Sequence, residues 1–165
     1  MIRFKLLSIL FLVCLFSWTA CDREKDPYAS GTDGWLHGTE EEKFEELANQ
    51  LGGFSRTMIE VSYRYSELYW AGQDENWDYA DHQLEHLLEV LEDGLKRRPA
   101  RAESAQSFIN HTIPEIEELI HKENKSEFLE GFRSLTTACN ACHAKEGESF
   151  IVIVEPEIRT SPVRF

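Results

Sequence analysis

The chain has 165 residues, of which 42% are hydrophobic and 12% aromatic, enough apolar material for one domain-sized core and too much for a disordered chain. Thirty Asp and Glu face 17 Lys and Arg, which gives a formal net charge of −13. Nucleic acid and anionic lipid surfaces repel such a chain, so we expect no nucleic-acid partner and favour a protein partner with a basic docking surface.

The first residues combine a basic start with a short apolar run. Arg3 and Lys5 precede an uncharged, mostly apolar stretch over residues 6–20. This stretch is shorter than the ~20 apolar residues that a membrane-spanning helix needs. The pattern is typical of a secretory leader, so residues 1–20 are predicted to be a signal peptide.

The end of this leader resembles a bacterial lipoprotein processing site. Thr19-Ala20-Cys21 is similar to the end of a lipobox, in which the Cys is acylated and becomes the first mature residue. We therefore expect Cys21 to carry lipid and to hold the protein on the periplasmic side of a bacterial membrane. A soluble periplasmic protein and an uncleaved anchor are the alternatives. Residues 21–38, which contain three Asp and three Gly and show no apolar period, predict a lipid-anchored flexible tether.

A long amphipathic helix is predicted from Thr39 to about Gly72. Thr39 and Glu42 have the spacing of a capping box, which satisfies free amides at a helix start. Apolar residues then recur at alternating spacings of three and four, the pattern of a helix packed lengthwise on others. They are Phe44, Leu47, Leu51, Phe54, Met58, Val61, Tyr65 and Leu68.

A second helix is predicted to begin at an Asp74 cap and to end in the basic run Lys96-Arg97-Arg98, where cations favour the helix C-terminus. Its apolar face consists of Trp77, Ala80, Leu84, Leu87, Leu88, Leu91 and Leu95. Pro99 suits the first turn of a third helix, which should kink at Pro114 because proline has no amide hydrogen.

Asn124 and Glu127 predict the start of a fourth helix, with Phe128, Phe132 and Leu135 on its apolar face and Gly147 as its stop. Short connections between four amphipathic helices predict an all-α, antiparallel four-helix bundle over residues 39–147. Residues 148–165 contain an apolar run and two prolines, which predict an extended tail packed on the bundle.

The fourth helix carries the pentad Cys139-Asn140-Ala141-Cys142-His143, which is the c-type haem attachment pattern. Two thiols three positions apart on a helix lie on nearly the same face and can add to the two vinyl groups of one porphyrin. His143 is then placed to give iron an axial nitrogen. All three residues fall near the apolar face of the helix, so the porphyrin is predicted to enter the bundle core.

A four-helix bundle with this pentad near the end of its last helix resembles the cytochrome c′ group, the class II c-type cytochromes. The resemblance covers residues 39–147. It implies one covalent haem c on Cys139 and Cys142, with His143 as the proximal iron ligand. The chain differs from the group in its lipidation site and in the tail after His143.

The sixth iron ligand is predicted to come from the first helix. If the first and fourth helices run antiparallel, residues 51–58 lie opposite His143. Met58 is the inward-facing sulfur in that stretch, and methionine with histidine is a common ligand pair in cytochromes c. Met58 is also compatible with a simple packing role in the core.

The expected function is one-electron transfer by a membrane-anchored cytochrome, without enzymatic activity. The alternative is a haem protein with an open iron site that binds nitric oxide or another small gas. A remote alternative is a zinc peptidase, because His82-Gln83-Leu84-Glu85-His86 matches the inverzincin pattern. For the Cys pair, a thiol redox site and a zinc site are alternatives to haem. The expected partners are a basic redox protein and the membrane, and a homodimer is compatible with the sequence.

Overall fold

The computed structural model describes residues 28–163. The predicted signal peptide, residues 1–20, and the predicted lipidation site Cys21 lie outside the described residues. The chain divides into two compact units with a boundary between Leu51 and Gly52. Within the described range, no helix combines the length and the apolar character needed to cross a bilayer.

In the part of the first unit that the structure describes, residues 28–51, the chain forms a closed turn and one helix. Ser30 and Leu36 exchange backbone hydrogen bonds around a 3-10 turn, Thr32–Gly34. Helix α1 spans Glu40–Gln50. The predicted capping box is confirmed, because the backbone N–H of Thr39 donates to Glu42 Oε2 at 2.7 Å and the Glu42 N–H donates to Thr39 Oγ1 at 3.3 Å.

The prediction of one continuous helix from Thr39 to Gly72 is wrong. α1 ends at Gln50 and the next helix begins at Phe54. Between them Gly52 has φ +74°, a left-handed conformation that glycine adopts at little cost and that interrupts a helix. The apolar positions of α1 are not part of a core, since none of its residues is buried and Phe44 is 69% exposed.

The second unit contains the four helices of the predicted bundle. The first two are α2, Phe54–Gln73, and α3, Trp77–Arg97. The third helix is bent and consists of α4, Ala102–Ser107, then a π-helical turn, Phe108–Thr112, and then α5, Ile113–His121. The fourth is α6, Lys125–Lys145. Connections of a few residues join consecutive helices, so neighbours run antiparallel. The all-α, four-helix bundle architecture is confirmed.

The helix boundaries follow capping chemistry, with one correction. Asn124 caps α6 as predicted, accepting a hydrogen bond from the Glu127 N–H at 3.1 Å. Asn76, rather than Asp74, caps α3 by accepting from the Tyr79 N–H at 3.2 Å. The third helix changes to a π-helical turn directly before Ile113 and Pro114, as a missing proline amide would cause.

The core of the bundle is formed by the predicted apolar faces. Leu68, Leu87, Ile116, Phe128, Phe132 and Leu135 are at most 1% exposed. Gly72 lets α2 pack closely against Phe128 of α6, because a Cβ on it would overlap the ring of Phe128. This packing fixes the inward face of α6, which continues toward the Cys pair.

The described part of the tail, residues 148–163, has no regular secondary structure but is tied to the bundle by hydrogen bonds. Gly147, with φ +77°, reverses the chain after α6. Farther along, Arg159 bonds Asp74 Oδ2 at 2.6 Å and lies 4.8 Å above the ring of Trp70. The tail therefore runs back along the bundle.

Candidate functional site

A cavity of about 870 Å³ opens inside the four-helix unit between α2, α3, α4, α6 and the tail. Its volume lies at the upper end of the range for small-molecule and cofactor pockets, roughly 300–1,000 Å³. Aliphatic and aromatic side chains form most of its wall, among them Phe54, Val61, Leu87, Leu91, Phe108 and Ile153. A mostly apolar ligand is the chemical class that this wall suits.

The pentad enters this cavity from α6. Phe128, Phe132 and Leu135 are fully buried and turn one face of the helix toward the core. The same face carries Cys139 and Cys142, one and two turns farther on, and both line the cavity together with His143. The two thiols are free. The cavity therefore brings together all three residues that the sequence assigns to haem attachment.

The two thiols differ in their surroundings. Burial, with a smaller contribution from the neighbouring Cys142, raises the pKa of the Cys139 thiol to about 12. Cys142 Sγ lies 3.9 Å from the hydroxyl of Ser104 on α4, within the range of a weak S–H···O hydrogen bond. Cys139 is thus protonated at neutral pH, unlike the low-pKa cysteine of a thiol redox site.

The ring of His143 is oriented by the tail. Its Nδ1 is 2.9 Å from the carbonyl oxygen of Ile151. A carbonyl only accepts hydrogen bonds, so Nδ1 carries the proton and Nε2 carries the free lone pair. This is the arrangement in which an imidazole binds a metal through Nε2, since metal-ligating histidines commonly donate their other ring N–H to a protein oxygen.

Asn140, inside the pentad, is a second link between α6 and the tail. Its side-chain NH₂ donates to the Ile153 carbonyl at 2.9 Å, and its carbonyl accepts from the Ile153 N–H at 2.8 Å. The pentad pattern predicts no role for Asn140. The local sequence does not show whether the residue between the two cysteines is only a spacer or forms hydrogen bonds with a backbone segment farther along the chain.

Arg101 was also missed. It is the single Lys or Arg of the cavity wall and contacts Glu146 at 2.7 Å and Glu148 at 3.8 Å. Its guanidinium lies 5.4 Å from the centre of the Phe54 ring. A cation at the edge of an apolar cavity is suited to pairing with the carboxylates of an amphipathic ligand.

Met58 of α2 lines the same cavity and is partly buried. Within the predicted opposite face, residues 51–58, Phe54 and Ser55 also line it, whereas Gly52 and Gly53 form the helix break. No other methionine occurs in the chain after Met1. Met58 thus remains the candidate sulfur ligand.

The histidine pair of the zinc peptidase pattern lies on α3. The rings of His82 and His86 are 4.4 Å apart, and His86 Nδ1 contacts Glu89 at 2.9 Å. Among the described residues, no third His, Cys, Asp or Glu completes a ligand group with this pair.

A group of three potential ligands does form where α3 meets α5. It consists of Asp81, Glu117 and His121, and their ligand atoms lie within 4.8 Å of one another. Neither Glu117 nor His121 is buried, and the group does not belong to the cavity wall. Carboxylates exposed in this way are well solvated, so the cavity remains the better candidate site.

The mostly apolar wall of the cavity offers two thiols, one imidazole nitrogen, one thioether and one cation, beside four serines and the carboxylates of Glu146 and Glu148. Such a set can attach a ligand covalently, coordinate a metal at its centre and neutralise acidic groups at its edge. No protein-family model, curated protein or solved structure matches the chain.

Proposed function

We propose that the protein is a c-type cytochrome that binds one haem covalently through Cys139 and Cys142 and transfers single electrons. The observation that carries the proposal is that both thiols and the His143 imidazole line one apolar cavity of about 870 Å³. The haem would supply an iron that alternates between the ferrous and ferric states. The chain would hold it, exclude water from it and set its ligands.

The donor set favours haem over the other chemistries of a Cys pair. A structural zinc site needs four ligands, whereas the pentad brings two thiols and one imidazole. A thiol redox pair works through a low-pKa thiolate, whereas burial raises the pKa of Cys139 to about 12. Thioether attachment to vinyl groups needs only two thiols on one helix face beside a cavity.

Besides the two cysteines, three side chains of the cavity wall have a role in this proposal. His143 would bind the iron through Nε2, because Nδ1 donates to the Ile151 carbonyl. Met58 would provide the second axial ligand from α2. Arg101 would pair with a propionate in place of Glu146 or Glu148. The apolar wall would keep the iron site dry, which limits reorganisation during electron transfer.

The surface and the N-terminus suggest where this electron transfer takes place. With a net charge of −13, the protein would be steered toward a basic redox partner. Lipidation at Cys21 would hold it on the periplasmic side of a bacterial membrane.

Mass spectrometry and absorption spectroscopy test the proposal. The chain is produced in a host with cytochrome c maturation machinery, beside a Cys139→Ala, Cys142→Ala double variant as control. We expect the added mass of one haem on the wild type and none on the double variant. A wild-type chain without porphyrin mass would disprove the proposal.

The Met58 ligand is tested separately by the ferric spectrum. Met58→Leu conserves the side-chain volume and removes the sulfur. We expect a low-spin, six-coordinate wild type and a high-spin variant. A wild type that is already high-spin, and that binds carbon monoxide or nitric oxide rapidly, would instead support gas binding at an open iron site.

A further inference from the structure

We propose that residues 148–154 of the tail, here called the strap, form a positioning element for the iron ligand His143, and that Asn140 is the residue that fixes this element. The inference rests on the proposed function, because it assigns the strap a role toward the haem iron. It extends that function by identifying what sets the orientation and the basicity of the ligand.

The strap meets the bundle through three successive side-chain contacts. His143 donates to the carbonyl of Ile151 at 2.9 Å. Asn140, one helical turn earlier, bonds both backbone groups of Ile153 at 2.9 and 2.8 Å. Ile151 of the strap contacts His143, and Ile153, two residues later, contacts Asn140, which comes earlier in α6. The strap therefore runs antiparallel to the helix segment that carries the pentad.

Tyr65 of α2 makes the third contact, donating to the Val154 carbonyl at 3.2 Å. Its hydroxyl also lies 2.7 Å from Thr136 Oγ1 on α6, so the strap is joined to two helices at once. At the other end, Gly147 reverses the chain, and the N–H groups of Glu148 and Ile151 bond the carbonyls of His143 and Glu148. Both ends of the strap are therefore fixed.

Apolar burial does not account for the position of the strap. Phe150 is 77% exposed, and Val152 and Val154 are also exposed, whereas Ile153 packs against the core. Most apolar side chains of the strap thus face outward or toward the cavity, so their burial does not draw the strap into the core. Polar contacts from Asn140, His143 and Tyr65 hold the backbone instead.

The contact to Ile151 has a chemical consequence for His143. An acceptor at Nδ1 fixes the tautomer and the ring orientation and makes Nε2 a stronger electron donor. A stronger donor stabilises ferric over ferrous iron and so lowers the reduction potential. The strap should therefore hold the reduction potential below the value that His143 would give with Nδ1 free to water.

The test compares Asn140→Ala with Asn110→Ala in the full-length, haem-loaded protein. Asn110 is a matched control because its exposed amide bonds only Gln106 on its own helix. In Asn140→Ala we expect hydrogen exchange at the Ile153 N–H to become about fivefold faster, as loss of a ~1 kcal/mol hydrogen bond allows. Exchange at His143 Nδ1–H should also accelerate, and the midpoint potential should shift in the positive direction. Asn110→Ala should change none of these.

Tyr65→Phe serves as a second variant, because Asn140 lies between the two attachment cysteines and its substitution can reduce haem loading. It removes the donor to Val154 and should produce the same changes at smaller amplitude. If the haem-loaded variants exchange the Ile153 N–H at the wild-type rate, the proposed role of the strap is overturned. Faster hydrogen exchange without a shift in the midpoint potential would overturn it as well. A wild-type chain that takes up no haem would overturn the proposed function itself, and this inference with it.

Discussion

Tyr65 connects α2, α6 and the tail, and its environment predicts how stability depends on pH. The side chain is 6% exposed, and burial raises the pKa of its hydroxyl to about 12. The ordinary pKa of tyrosine is about 10, so the folded state holds the proton more tightly than the unfolded state. The resulting stabilisation is complete below pH ~10 and is lost as the pH rises through about 12.

Denaturant unfolding between pH 8 and pH 12 measures this effect. Tyr65→Phe should be less stable than the wild type at pH 8, by about 1 kcal/mol for the lost hydrogen bonds. The difference in unfolding free energy should shrink as the pH rises, because the variant has no hydroxyl to ionise. Tyr28→Phe, at an exposed position, is the control. A difference that stays constant up to pH 12 would contradict the assigned pKa.

Residues of the candidate site were predictable from sequence to different degrees. Cys139, Cys142 and His143 follow from a fixed local spacing, and the cavity contains all three. Arg101 and Asn140 carry no such signal, because their partners lie 45 residues away in one case and 13 in the other. Contacts of a side chain with a distant backbone or carboxylate arise only from the packed fold.

Among the elements, the contact between α2 and α6 depends on the absence of a side chain at Gly72. A Cβ there would overlap the ring of Phe128, which is fully buried. Alanine is favoured over glycine within a helix by about 1 kcal/mol, whereas overpacking a core costs about 1–3 kcal/mol. We expect packing to decide, so Gly72→Ala should lower the unfolding free energy.

Gly53→Ala is the matched control for this prediction. Gly53 has ordinary backbone angles, and a Cβ there would meet only Ser55 Oγ at 3.9 Å. Thermal and denaturant unfolding of both variants should show a clear loss for Gly72→Ala and a change below about 1 kcal/mol for Gly53→Ala. Equal effects of the two substitutions would mean that the helices separate to accept the methyl group.

The limits of prediction at the level of elements have physical causes. The leucine spacing of α3 and the Asn124 cap of α6 are local signals, and both predictions are confirmed. The apolar residues keep their helical spacing on both sides of Gly52. The spacing therefore gives no sign of the helix break that the backbone of Gly52 makes. Asp74 has the chemistry of a cap, but it pairs with Arg159 of the tail. Asn76, whose side chain accepts from the Tyr79 N–H, is the cap of α3 instead.

The second unit is organised around a cavity whose volume the sequence does not reveal. Helical periodicity predicts which faces are apolar, but the volume left between them depends on how α2, α4, α6 and the tail meet. A void of about 870 Å³ is large beside the closely packed core around Phe128 and Phe132. If the proposed haem occupies this space, the cavity wall is expected to pack fully only with the haem bound.

The Cys139→Ala, Cys142→Ala double variant tests this dependence. Without covalent haem the apolar cavity wall loses its packing partner, and unfilled apolar volume destabilises a core. We expect its melting temperature to fall below that of the loaded wild type, by about 2–4 °C for each kcal/mol lost. It should also bind a hydrophobic dye, as loosely packed helical states do.

Wild-type chain produced without haem maturation separates the effect of the ligand from that of the two substitutions. If the cavity requires haem, this unloaded chain should melt near the double variant and well below the loaded protein. Since Cys139 is itself partly buried, replacing it removes some packing, and a small difference between the two unloaded proteins is expected. An unloaded wild type that is as stable as the loaded protein would contradict this prediction. It would show that the side chains of the cavity wall pack against one another when no ligand is bound.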